Sequence, residues 1–217
     1  MATRPRLRVN EIFHSVQGEG TRVGVRCVFV RLTGCHLRCT HCDTTYAFYE
    51  GDWMTLDEVL DRVRAYDCPT VEVTGGEPLL QPGVYPLMTR LADELETVLL
   101  ETSGTVSIEK VDPRVPRIMD IKCPSSGAAE HNHWPNVELL TSRDEVKFII
   151  GDRTDYDWAK GTIERHSLLS RCPVLVTPVF DVLTPVDLAN WVLEDRLDVR
   201  VGLQLHKLIW PPTSRGV

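Results

Sequence analysis

The 217-residue sequence predicts an α/β fold built on a mostly parallel sheet with sparse helical cover. Two patterns predict it: short β-branched runs recur along the whole chain, and segments of helical spacing stand between several of them. A third pattern agrees. The residues best suited to chemistry follow directly after these runs, and parallel α/β folds gather their ligands beyond the carboxyl ends of the strands.

The first run is 27–32 (CVFVRL). A helix is expected over 55–66, where Thr55 precedes an acidic first turn, and a strand over 70–74 (TVEVT). Leu87, Leu91 and Leu95 place a helix over 84–95. Strands follow at 97–101 (TVLLE), 117–121 (RIMDI), 145–150 (EVKFII) and 173–177 (PVLVT). Thr184-Pro185 opens a helix over 185–196, since proline suits the first helical position, and 199–205 (VRVGLQL) reads as the last strand. The stretches 102–116 and 122–144 are rich in Pro, Ser, Gly and Asn and read as loops. No repeat or linker divides the chain, so 1–217 reads as one domain.

Composition narrows the function. With 42% hydrophobic and 25% charged residues, the chain can build a core, and a net charge of −7 argues against a broad nucleic-acid face. No apolar stretch is long enough to span a membrane, and the start lacks the apolar core of an export signal. Together with free thiols this points to the cytoplasm. Cys27, Cys68, Cys123 and Cys172 are isolated and read as small buried hydrophobes.

Cys35, Cys39 and Cys42 differ, standing together on one short loop after the first run. Three thiolates can hold three irons of a 4Fe–4S cube and leave the fourth iron open to a small molecule. A zinc site is the alternative, with His36 or His41 as fourth ligand, but zinc ligands usually come from two separated pairs. Gly75-Gly76-Glu77-Pro78 follows the run 70–74; taken alone it is also a plain strand-to-helix turn.

The spacing cysteine-x3-cysteine-x2-cysteine, followed one strand-helix-strand unit later by Gly-Gly-Glu-Pro, resembles the radical S-adenosylmethionine (SAM) superfamily. The resemblance implies an incomplete TIM-like β/α barrel, a 4Fe–4S cluster on Cys35, Cys39 and Cys42, and SAM chelating the open iron. Gly75, Gly76, Glu77, Ser103, Asp120, Ile121, Lys122, Thr177, Pro178, Val179 and Phe180 match stretches that line SAM in relatives.

Further segments resemble the 7-carboxy-7-deazaguanine synthase family: Glu11 through Gly20 with its Gln17-Gly18-Glu19-Gly20, then Phe29 to Cys35, Cys42-Asp43-Thr44, Glu101 to Gly104, and Gln204-Leu-His206-Lys207. The resemblance implies conversion of 6-carboxy-5,6,7,8-tetrahydropterin into 7-carboxy-7-deazaguanine with loss of ammonia. It places Val16, Gln17, Gly18, Glu19, Arg31, Thr74 and His206 on the pterin, within an N-terminal substrate-binding extension of about 8–24 and a C-terminal tail of about 206–217. It makes Thr44 the Mg²⁺ ligand. On chemical grounds Arg31 suits a carboxylate, because its planar fork gives two parallel hydrogen bonds. Spacing alone equally reads Thr44 as a loop cap and His206 as a core histidine.

An external flavodoxin-like electron donor and a homodimer are implied as well. Two departures stand out: Leu208 to Val217 extends past the point where some relatives end, and Thr177-Pro178 stands where other members carry Gln-Pro. The rival readings are a glycyl-radical-enzyme activase and a zinc-binding module.

Overall fold

The computed structural model describes residues 5–217; Met1–Arg4, part of the start read above for an export signal, lie outside the described residues. Nine strands form one sheet in the order β3-β1-β2-β4-β5-β6-β7-β8-β9. They are β1 (Arg6–Val16), β2 (Arg26–Leu32), β3 (Asp52–Thr55), β4 (Thr70–Gly75), β5 (Thr97–Thr102), β6 (Arg117–Ile121), β7 (Glu145–Ile150), β8 (Val174–Pro178) and β9 (Arg200–Val201). Every neighbouring pair from β2 to β9 is parallel, while β1 runs antiparallel to both β2 and β3. The sheet begins at β3 and ends at β9 without closing, which is the incomplete barrel the sequence implied.

Alternation along each strand sorts the two faces. Val28, Val30, Leu32, Val71, Val73, Leu100, Val146, Phe148 and Ile150 join the main core with the helices. The intervening residues, including Arg31, Glu72, Thr74, Glu101, Asp120 and Lys147, line a cavity on the concave side. Neighbours in register make this a layered surface: Phe29 beside Glu72 and Leu99, then Arg31 beside Thr74, one pleat nearer the cysteine loop.

The helices are α1 (Leu56–Arg64), α2 (Val84–Glu94), α3 (Arg153–Arg165), α4 (Pro185–Asp195) and α5 (Leu205–Ile209). A reciprocal capping box starts α1: the Thr55 hydroxyl accepts from Glu58 N, and the Glu58 carboxylate accepts from Thr55 N. Thr184 caps α4, with Pro185 in the first turn. The two stretches read as loops contain only short 3-10 turns.

Four elements differ from the sequence reading. Strand β1 went unread because a register shift between Val9 and Glu11 breaks its alternation. Before that shift Leu7 and Val9 enter the main core; after it Glu11 and Phe13 oppose Arg31 and Phe29 across the strand pair. The edge strand β3 is only four residues long and half exposed, too short to register as a run. Helix α3 is capped by Asp152 but buries Tyr156, Ala159, Thr162 and Ile163, a face too poor in aliphatic residues to show a clear period. The expected strand 199–205 pairs only at Arg200–Val201. At Gly202, where an added Cβ would stand 2.6 Å from the Thr177 hydroxyl, the chain leaves the sheet, and α5 places His206 on a helix instead of at a strand end.

Candidate active site

The three thiols sit at the carboxyl end of β2, none in a disulfide, and all three line one cavity of about 820 Å³. Their loop is held by its backbone. Gly34 (φ +102°) donates to Ala47 O at 2.8 Å and accepts from Glu77 N at 2.8 Å, while Arg38 donates to Cys35 O at 2.9 Å and stacks 4.2 Å from the Phe48 ring. Leu37 N points at Cys35 Sγ from 3.4 Å, the contact a sulfur ligand accepts. Burial pushes all three thiols above their ordinary value, and the Lys122 ammonium acts in the opposite direction.

Gly75 and Gly76 explain their own identity. A Cβ on Gly75 would lie 2.5 Å from Leu32 O, and one on Gly76 would lie 2.3 Å from Gly34 O. Side chains there would push the end of β4 away from the cysteine loop. Glu77 is wholly buried, and its carboxylate accepts from Leu79 N, Thr102 Oγ1, Ser103 N and Ser103 Oγ, tying the end of β4 to the end of β5.

At the carboxyl end of β6, Asp120 pairs with Lys122 at 2.7 Å. Its other oxygen, Oδ1, is buried without a partner among the described residues. Such an orphaned acceptor costs stability until a donor meets it, and a polar ligand would supply one. Ser103, Val179 and Phe180 line the same cavity, as do Gly75 and Gly76. Glu77, Ile121, Thr177 and Pro178 lie outside its lining; Ile121 belongs to the main core and Thr177 is covered by Gly202.

Arg31 stands near the carboxyl end of β2, four residues before Cys35, and lines the same cavity as the thiols. Its Nε donates to Glu11 Oε1 at 2.8 Å, and Tyr46 OH donates to the same oxygen at 3.0 Å. The two terminal nitrogens of the guanidinium bond to no described residue, so the fork faces the cavity free. Gln17 is locked: its amide donates to Glu72, and its carbonyl accepts from Glu19 N at 3.1 Å. Gly18 must lack a side chain, because a Cβ would meet His206 Nδ1 at 2.1 Å. Burial lowers the His206 pKa and favours the neutral imidazole.

Thr44 Oγ1 donates to Asp43 Oδ1 at 2.9 Å and makes no cap to the backbone of the following turn. Although burial opposes it, Lys207 at 2.7 Å holds the Asp43 carboxyl well below its ordinary range. Thr74 donates to Glu101 at 2.9 Å, and Val16 completes the entrance near Gln17.

Sequence reasoning missed the charged floor. Lys147 bonds Glu19 at 2.7 Å and Glu101 at 2.6 Å, and Gln204 donates to Glu19 at 2.9 Å. It also missed Glu11, Tyr46 and Glu72 as cavity or supporting groups. The signal was present in the runs themselves: Glu72 in TVEVT, Glu101 in TVLLE and Lys147 in EVKFII are charges set within or at the end of largely β-branched and aliphatic strands. The extended tail lines the cavity over 212–217, with Arg215 3.8 Å over the Tyr46 ring and paired to Glu50.

Comparison with known proteins agrees with this geometry. The Radical SAM superfamily matches residues 29–168. The 7-carboxy-7-deazaguanine synthase of Chlorobaculum tepidum is 50% identical over 100% of both chains, and that of Koribacter versatilis is 43% identical over 97% of this chain and 100% of its own. The crystal structure of QueE from Escherichia coli superposes with a TM-score of 0.76 at 22% identity, covering 93% of this chain and 95% of that one, and so shares the fold. The chain therefore belongs to the radical SAM superfamily and, within it, to the 7-carboxy-7-deazaguanine synthase family.

Proposed function

We propose that the chain converts 6-carboxy-5,6,7,8-tetrahydropterin into 7-carboxy-7-deazaguanine with loss of ammonia, using a 4Fe–4S cluster, SAM and Mg²⁺. The observation that carries this reading is a single cavity lined by three free thiols and by an arginine whose two terminal nitrogens bond to no described residue.

The residues fit the cofactors. Among the described residues no three His, Cys, Asp or Glu side chains are arranged around one metal ion, so the thiol trio is not preformed for zinc. A cluster asks only one thiolate for each of three irons. Cys35, Cys39 and Cys42 would hold it, the Gly75-Gly76 edge and Asp120 would face SAM, and the Thr44 hydroxyl would serve Mg²⁺, a hard cation content with few protein oxygens. When bound and given an electron by an external donor, the cluster and SAM would supply a 5′-deoxyadenosyl radical able to take hydrogen from C6 of the pterin.

The chain's own residues place the substrate. Arg31, its Nε fixed by Glu11, offers two parallel N–H groups to the carboxylate on C6. Because Arg31 lies four residues before Cys35, that anchor holds C6 toward the cysteine loop. Gln17, Gly18 and Glu19 line the same cavity, Thr74 stands beside Arg31 in register, and the neutral His206 closes over Gly18. Residues 212–217 narrow the mouth and exclude water from a reactive intermediate. An external flavodoxin-like electron donor, a homodimeric assembly and a cytoplasmic setting complete the proposal. Among the described residues no helix is long and apolar enough to cross a membrane.

Anaerobically reconstituted protein given SAM, reductant, Mg²⁺ and carboxytetrahydropterin should form 7-carboxy-7-deazaguanine. Cleavage of SAM without any deazaguanine would favour an activase and refute the proposal.

A further inference from the structure

Glu72 has no role in the placement just described, yet it occupies the cavity floor. It lies mid-strand on β4 at 2% exposure, with Phe29 and Leu99 as its register neighbours on β2 and β5. A buried acid between apolar neighbours costs stability unless a cation pairs with it. Lys147, the cation nearest this floor, is already shared by Glu19 and Glu101, so that group carries a net negative charge without Glu72. A third carboxylate beside it would add like charge to like charge. Burial first, and then Glu101, raise the Glu72 pKa well above its ordinary value, against the pull of Lys147.

A neutral carboxyl has one carbonyl acceptor and one hydroxyl donor. Glu72 Oε2 is the acceptor, since the Gln17 amide donates to it. That amide cannot turn round, because its carbonyl is held by Glu19 N. The proton therefore sits on Oε1, which bonds to no described residue, is not sealed from the cavity and belongs to a residue of its lining.

We propose that Glu72 is a substrate-binding residue, its Oε1 hydroxyl donating a hydrogen bond to an acceptor on the pyrimidinone ring of the bound pterin. The inference rests on the pterin reading above. Arg31 lies one pleat nearer the cysteine loop than the layer of Phe29 and Glu72. A pterin whose C6 carboxylate is taken by Arg31 must send its other ring toward that deeper layer. The carbonyl oxygen and ring nitrogen of a pyrimidinone are acceptors and need a donor, while at this layer the Gln17 amide is committed to Glu72 and Lys147 to Glu19 and Glu101. The destabilising position of Glu72 is what a residue kept for binding looks like.

The test is equilibrium binding of 6-carboxypterin to cluster-loaded protein with SAM, for the parent, Glu72→Val, Glu72→Gln and Arg31→Ala, each with its melting temperature. Glu72→Val should bind roughly tenfold more weakly or worse, since it removes the donor, while melting no lower than the parent. Glu72→Gln should stay within about threefold of the parent, because an amide can accept from Gln17 and still donate to the cavity. Parent-like binding by Glu72→Val, with Arg31→Ala weakened, would overturn this inference and leave the function standing. Equal loss in Glu72→Val and Glu72→Gln would also overturn it, by showing an ionised acceptor or a structural role. A parent that binds no 6-carboxypterin would overturn the pterin reading and this inference together.

Discussion

The two faces of the same strands obey opposite rules. On β4, Val71 and Val73 face the helices and are fully buried among aliphatic neighbours, while Glu72 and Thr74, which alternate with them, face the cavity. On β7, Val146, Phe148 and Ile150 alternate with Glu145, Lys147 and Ile149 in the same way. The outer face stabilises through area removed from water and dense packing. The inner face buries ionisable groups whose desolvation opposes folding; Lys147 offsets this for Glu19 and Glu101, whereas Glu72 has no ion-pair partner among the described residues. A period of two thus lets one strand hold the fold on one side and the chemistry on the other. The β1 register shift shows the same logic locally, since it turns Glu11 and Phe13 toward Arg31 and Phe29.

Four substitutions break or sharpen this contrast. Phe148→Ala, at 0% exposure on the outer face, should lose about 3–5 kcal/mol of unfolding free energy in a denaturant titration. The folded fraction should still bind 6-carboxypterin, because no cavity group has changed.

Lys147→Met on the inner face should cost about 3 kcal/mol at neutral pH, the low end for breaking a buried pair because Glu101 keeps some solvent contact. Its pH dependence separates it from the core variant. Burial raises the Glu101 pKa, but Lys147 overcomes this and holds the carboxyl down to about 2 from its ordinary 4.5. Stability from this ionised carboxylate is complete above 4.5 and is lost as pH falls through about 2. The gap between parent and Lys147→Met should therefore shrink over that window, whereas the Phe148→Ala gap should not.

Arg31→Ala should weaken 6-carboxypterin binding by roughly ten- to a hundredfold, the loss of a charge-assisted pair, and should also lower the melting temperature, since Glu11 loses its ion-pair partner. Unchanged affinity would remove the anchor from the assigned pocket. Thr55→Ala, which deletes the α1 cap far from the cavity, should cost about 1 kcal/mol and leave binding alone.

The outer face was legible because aliphatic runs repeat in every strand, and seven runs marked the parallel strands β2 and β4 to β9, the last overextended. The inner face was legible only where a motif announced it: the thiol spacing, Gly75-Gly76 and Gln17-Gly18-Glu19. Lys147, Glu72 and Glu101 were printed inside those runs, but a single charge in an apolar strand has no meaning until its neighbours across the sheet are known. Tyr46 and Arg215 meet over 169 positions of chain, a contact that no local pattern encodes. Gly76 was expected among the residues lining SAM; the structure adds that its missing side chain makes room for the cysteine loop.

The central claim is that Cys35, Cys39 and Cys42 hold a cluster in the cavity that Arg31 also lines. Iron and acid-labile sulfide, measured on oxygen-protected, reconstituted protein beside a Cys39→Ala variant, test it most directly. About four irons and four sulfides per chain in the parent, and far fewer in the variant, are expected. Equal contents in the two proteins, or zinc without sulfide, would contradict it.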